Sequence, residues 1–225
     1  MKRLKLLLIS GFAAAASAGQ NVNKIKFGDV TEKDFATKVY SIDSNASAVI
    51  ISDIGSSKIE GNNKGWFSLV FKLHRRVHIL KKPGYELSDV VINLYSNEEN
   101  EEKLEKIRAT TYNLENGKLV TSDLDLKSVL YTDKIDKNQV NKKFALPNVK
   151  EGSIIEYEYT ITSDFLWNLR SWEYQGEHPR IWSEYNLALP DFLGYVFLTQ
   201  GYKKYDMEER KARYESFQTI KSRNM

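Results

Sequence analysis

Leu69-Val70-Phe71-Lys72-Leu73-His74-Arg75-Arg76-Val77-His78-Ile79 is the stretch that decides the fold class. One side reads Leu69, Phe71, Leu73, Arg75, Val77, Ile79; the other reads Val70, Lys72, His74, Arg76, His78. Successive side chains of an extended chain point to opposite faces, so this period of two predicts a long strand with a core face and a wet face. Ile154 to Thr162 repeats it, with Ile155, Tyr157, Tyr159 and Ile161 against Glu156, Glu158, Thr160 and Thr162. Ala48 to Ser52 and Asp89 to Tyr95 are short β-branched runs between turn residues. Ile107 to Leu114 and Leu119 to Ser122 flank Glu115-Asn116-Gly117-Lys118, where Asn-Gly suits the positive φ angles of a tight hairpin turn. Trp172 to Tyr174 and Ile181 to Leu189 complete the set. The reading is a mainly β chain, an antiparallel β-sandwich with few short helices.

Helix signals are sparse. Thr31-Glu32-Lys33-Asp34 reads as an N-cap with acidic first-turn residues, opening a short helix through about Val39. Gly55-Ser56-Ser57 and Gly152-Ser153 read as turns. Asn97 to Lys103 reads as a solvated charged tip without chemistry. Gly194 to Tyr202 is expected to form a further strand, and Tyr205 to Phe217 fits helix or strand equally.

The beginning of the chain carries an export signal. Lys2, Arg3 and Lys5 precede and enter an apolar run from Leu4 to Ala16, and Ala16-Ser17-Ala18 supplies small residues for a signal peptidase. The run is shorter than the roughly 20 apolar residues that span a bilayer, so no transmembrane span is expected. Residues 1–18 are therefore expected to be a signal peptide, and 19–225 one β domain of a longer protein. The whole chain has 33 Lys+Arg and 30 Asp+Glu, but 1–18 holds three basic residues and no acidic one, leaving 33 − 3 = 30 against 30. A neutral mature chain gives no reason to expect a nucleic-acid partner. Cysteine is absent, which excludes disulfides, a lipid-modified cysteine and a thiol nucleophile from these residues.

Candidate chemistry is thin. His74 and His78 share a strand face about 13 Å apart at about 3.3 Å per residue, too far to share a metal ion. His178 precedes Pro179 and reads as a loop residue. Glu156 and Glu158 lie roughly 7 Å apart on one strand face, a separation that could fit an inverting glycosidase, but Thr160 and Thr162 continue the same wet face and an ordinary solvated face is the preferred reading. No serine elbow or phosphate-cradling loop occurs. No catalytic, metal or cofactor-binding residue is assigned, and no cofactor is expected. The remaining signal is aromatic: Trp167, Trp172, Tyr174, Trp182 and Tyr185 crowd one stretch. They fit core filling between two sheets, or contact with a glycan, a peptide or a partner chain.

Lys150-Glu151-Gly152-Ser153-Ile154-Ile155-Glu156-Tyr157-Glu158-Tyr159, then Trp172-Glu173-Tyr174-Gln175, His178-Pro179-Arg180, Ser183-Glu184-Tyr185 and Leu189-Pro190 carry a family likeness. Over about residues 45–200 the chain resembles the domain-of-unknown-function 3857 (DUF3857) family. Phe27-Gly28-Asp29-Val30 through Asp34-Phe35 fits that family's usual start. The resemblance implies an exported, mainly β accessory domain of Gram-negative bacteria, in the periplasm or at the cell surface. It also implies a following transglutaminase-like domain of the papain-type thiol class, which would hold the catalytic cysteine, histidine and aspartate. The partner so implied is that downstream domain; a protein or glycan ligand for a stand-alone binding domain is the other reading.

Overall fold

The computed structural model describes residues 25–125, 130–201 and 204–211. The expected signal peptide, and the part of Tyr205 to Phe217 beyond residue 211, lie outside the described residues.

Among the described residues nine strands run in the order β1 (Ala48–Gly61), β2 (Phe67–Ile79), β3 (Asp89–Tyr95), β4 (Lys103–Glu115), β5 (Lys118–Asp123), β6 (Tyr131–Lys134), β7 (Gln139–Ala145), β8 (Ile154–Ser163) and β9 (Ser183–Ala188). Helix among the described residues is limited to 3-10 segments at Glu32–Phe35, Lys82–Ser88 and Asp191–Leu193. A six-stranded sheet in the order β5-β4-β8-β2-β1-β9 packs on a three-stranded sheet in the order β3-β7-β6. The core between them takes Phe71, Leu73, Val77 and Ile79 from β2, Ile155, Tyr157 and Ile161 from β8, and Val90, Ile92, Leu94, Val140 and Phe144 from the smaller sheet. The residues from β2 and β8 are ones that the period of two assigned to a core face; those from the smaller sheet were not assigned to one. The chain is a mainly β sandwich.

The β4–β5 hairpin turns at Asn116 and Gly117, with φ of 49° and 77°, the left-handed conformation an Asn-Gly turn requires. Elsewhere the elements depart from expectation. β1 runs through Gly55-Ser56-Ser57 instead of turning there. β9 pairs parallel to β1, Asp53 facing Ser183 and Lys58 facing Ala188, so the sandwich is not wholly antiparallel. The helix expected through Val39 is a single 3-10 turn, Glu32–Phe35, closed by a capping box between Thr31 and Asp34. No strand forms over 172–174 or 194–201. β6 and β7, absent from the expected set, are too polar to read as strands: β6 is exposed throughout.

The outer face of the larger sheet is wet only in part, with Lys72 and Arg108 exposed and Arg76, His78 and Glu156 buried. Residues 25–46 cross it, and Val30 and Phe35 form a second apolar cluster with Tyr112 of β4 and Ile154 of β8. This N-terminal strap encloses part of that polar face, burying Arg76, His78 and Glu156.

Candidate functional site

Glu156 is the hub under the strap. Its side chain has no solvent exposure, and it accepts five hydrogen bonds from four residues. Arg76 donates from Nε and from a terminal nitrogen at 3.0 and 2.7 Å. His74 Nε2 lies at 2.7 Å, the Tyr112 hydroxyl donates at 2.9 Å, and the Gly28 backbone N–H donates at 2.9 Å. Burial pushes the Glu156 carboxyl up, but the bond with His74, the Arg76 charge and the Gly28 N–H outweigh it and hold the group below its usual range. Arg76 also donates to the Lys26 carbonyl at 3.0 Å, so the same two residues that pair β2 with β8 fasten the strap. The expected solvated face around Glu156 is therefore corrected: the carboxylate is indoors because Phe27, Val30 and Phe35 bring a distant segment over it. Glu158 stays nearer the surface, paired with Arg108 at 2.7 Å.

The histidines are apart in function as well as in space. His74 belongs to the Glu156 network. His78 is fully buried, with Nδ1 at 2.8 Å from the Tyr40 hydroxyl. Burial first, and Lys38 second, lower its pKa to about 4, which keeps it neutral near pH 7. Burial pushes Tyr40 up to about 12. His178 pairs with Glu86 at 3.0 Å. Among the described residues no group of three or more His, Cys, Asp or Glu is arranged to hold a metal ion.

A second buried carboxylate, Asp53 of β1, sits inside the sandwich. Arg75 grips it bidentately at 2.9 and 2.8 Å and reaches the Tyr157 hydroxyl at 3.2 Å. Arg180 approaches the same carboxylate at 3.5 Å. Burial opposes the Arg75 charge, yet Tyr157 and Asp53 hold its pKa above the ordinary value, whereas burial lowers that of Arg180. Arg75 thus occupies a core-face position of β2 by carrying its counterion with it. A third, Glu102, accepts from Arg170 at 2.6 Å, from Asn168 at 3.1 Å and from the Tyr95 backbone at 2.9 Å. It is buried, so the supposedly solvated charged tip contains a structural anchor for the 164–172 loop.

The aromatic cluster does not gather on one surface. Trp172 and Tyr185 stack at 5.1 Å and 12° and pack against the core. Trp172 Nε1 donates to Ser183 Oγ at 3.1 Å, and the Tyr185 hydroxyl bonds Ser57 Oγ at 2.8 Å. Trp182 is half-buried with its Nε1 donating to Glu184 at 2.8 Å, and Tyr174 meets Tyr205 at 4.9 Å. Trp167 stands apart, 66% exposed and edge-on to Tyr95 at 5.0 Å. Near it a groove of about 480 Å³ is lined by Lys64 of the β1–β2 turn, Glu99 to Leu104, Leu130, Lys142 and Asp164. Sequence reasoning missed Asp53, Glu102 and this groove, because each depends on strand register or loop packing.

Fold and polar networks together define a mainly β sandwich whose buried carboxylates, Asp53, Glu102 and Glu156, are tied into its framework. Residues 67–222 match the family described as a domain of unknown function with a solved structure, DUF3857, and the chain belongs to that family. No curated protein matches the chain. Among solved structures, a protein of Parabacteroides distasonis described as a "putative protease" aligns at a TM-score of 0.41 and 12% identity. The alignment covers 52% of this chain and 23% of that one. No helix among the described residues is long and apolar enough to cross a membrane.

Proposed function

We propose that this chain is a non-catalytic accessory module of an exported protein. It would work in the periplasm or on the surface of a Gram-negative bacterium after loss of residues 1–18. It precedes a transglutaminase-like, papain-type domain, which it positions or gates. The observation that carries this reading is the state of its acid–base side chains. Glu156 has all five of its hydrogen bonds within the protein and no solvent exposure. A general acid or base must come within hydrogen-bond reach of a substrate proton, and His74 and Arg76 are engaged with that same buried carboxylate. Asp53 and Glu102 are likewise enclosed and paired with arginines. The zero cysteine count supports a division of labour, since acyl transfer by a thiolate would draw its nucleophile from another domain.

The test is an activity comparison. Residues 19–225 alone should neither cleave peptides nor transfer an acyl group from glutamine to an amine. The product of the complete gene should do one of these, and should lose rate or substrate selection when 25–211 are deleted. Turnover by 19–225 that His74→Ala abolishes would overturn the proposal.

A further inference from the structure

The end of the sandwich that carries the groove also leaves two tryptophans in solvent, Trp66 at 63% and Trp167 at 66% exposure. Trp167 is held by two ring neighbours, while Trp66 is anchored through its backbone and rests on one ring. The Trp66 backbone N–H donates to Asn62 Oδ1 at 3.0 Å and its ring leans on Phe67 at 5.6 Å. Trp167 is wedged edge-on against Tyr95 at 5.0 Å and Phe165 at 6.1 Å. The chain joins these rings to the groove. Lys64, two residues before Trp66, pairs at 2.6 Å with Asp164, three residues before Trp167. Ser68 donates to the other oxygen of Asp164 at 2.8 Å. The bond from Lys64, then that from Ser68, holds Asp164 below the usual carboxylate range.

We propose that this end is a binding site for an uncharged saccharide, with Trp66 and Trp167 as stacking platforms and the groove as its polar floor. The chemical class follows from the charge count. The lining holds three ammonium groups, Lys64, Lys103 and Lys142, against four carboxylates, Glu99, Glu101, Glu102 and Asp164. Arg170 neutralises Glu102 at 2.6 Å, so 3 + 1 positive charges meet 4 negative ones. A floor rich in donors and acceptors but without net charge offers an ionic ligand no attraction. A polyol uses both kinds of group: each hydroxyl donates to a carboxylate and accepts from an ammonium. The C–H faces of a pyranose ring suit an exposed indole, and a ring already packed on its neighbours, as Trp167 is, keeps the ordering cost of binding low. Apart from Leu104 and Leu130 the lining is polar, which leaves little to hold the apolar side chains of a peptide. The site does not rest on the accessory role, and its failure would leave the activity comparison unaffected.

Calorimetric titration of residues 19–225 with neutral oligosaccharides of glucose, mannose and N-acetylglucosamine tests it. At least one should bind in the micromolar-to-millimolar range, with an affinity little changed by added salt. Trp66→Ala and Trp167→Ala should each weaken it by about tenfold or more. Because both rings are exposed, the variants should keep the wild-type melting temperature, so a loss of binding is read on folded protein. No heat with any of these sugars, equal affinity in the tryptophan variants, or salt-sensitive binding of charged peptides in preference to sugars would each overturn the proposal.

Discussion

His78 shows how far a single side chain can be read. It is enclosed by the Phe35 ring at 6.3 Å and the Tyr40 ring at 5.8 Å, with Lys38 and Asp34 as the charged groups that bear on it. Its pKa falls from 6.5 to about 4 on folding, so the unfolded chain binds a proton more readily than the folded one. The sign is therefore that of a depressed group: the stabilisation is complete above pH 6.5 and is lost as pH falls toward 4. The full loss is about 3 kcal/mol. Glu156 is held below its ordinary 4.5, so the stability it contributes is present above that ordinary value and is lost only as pH falls below it. Urea midpoints should thus drop steadily between about pH 7 and about pH 5. A midpoint unchanged over that interval would mean that His78 titrates as it does in water.

At the scale of elements, β1 and the 172–185 segment fix each other. A Cβ built on Gly55 would lie 2.3 Å from the Trp172 ring, so the glycine is where the indole seats itself on the sheet. Gly55→Ala must expel that ring from its stack on Tyr185, at a cost of about 2 kcal/mol. Unfolding free energy and tryptophan emission should report this together, the first falling and the second shifting red; an unchanged spectrum would remove Trp172 from the face of β1. The same packing explains why Gly55-Ser56-Ser57 reads as a turn in the sequence: small residues occur there because an aromatic from elsewhere fills the space, and Ser57 bonds Tyr185. β2, β3, β8 and the Asn116-Gly117 turn were legible because period and turn chemistry are local. The parallel pairing of β9 was not, since register with β1 is set by a segment more than a hundred residues away in sequence. The role of Glu156 was hidden for a related reason. Alternation says only that it points away from Ile155 and Tyr157, and nothing in β8 announces that residues 25–46 cover that side. Of the aromatic candidates, clustering in sequence identified the stretch, but only tertiary packing separates Trp172 and Tyr185, turned inward, from Trp167, turned out.

At the scale of the whole molecule, the larger sheet is backed on one side by the smaller sheet over an apolar core and on the other, in part, by the strap, where a small apolar cluster adjoins the Glu156 network. The Glu156 network spans the second layer, joining β2, β4, β8 and the strap through Arg76, His74, Tyr112 and Gly28. Its members are residue types that elsewhere do catalysis, and here their bonds close on one another. Removing one partner of a buried, hydrogen-bonded ion pair costs about 3–5 kcal/mol, because the remaining charge keeps its desolvation penalty. A carboxylate kept for catalysis behaves in the opposite sense, since active-site groups are held at a cost to stability that their removal relieves. The urea unfolding free energy of Glu156→Gln against wild type near neutral pH separates the two. A structural hub predicts a loss of about 3 kcal/mol or more in a single cooperative transition, whereas an unchanged or higher stability would contradict it and return Glu156 to the list of catalytic candidates.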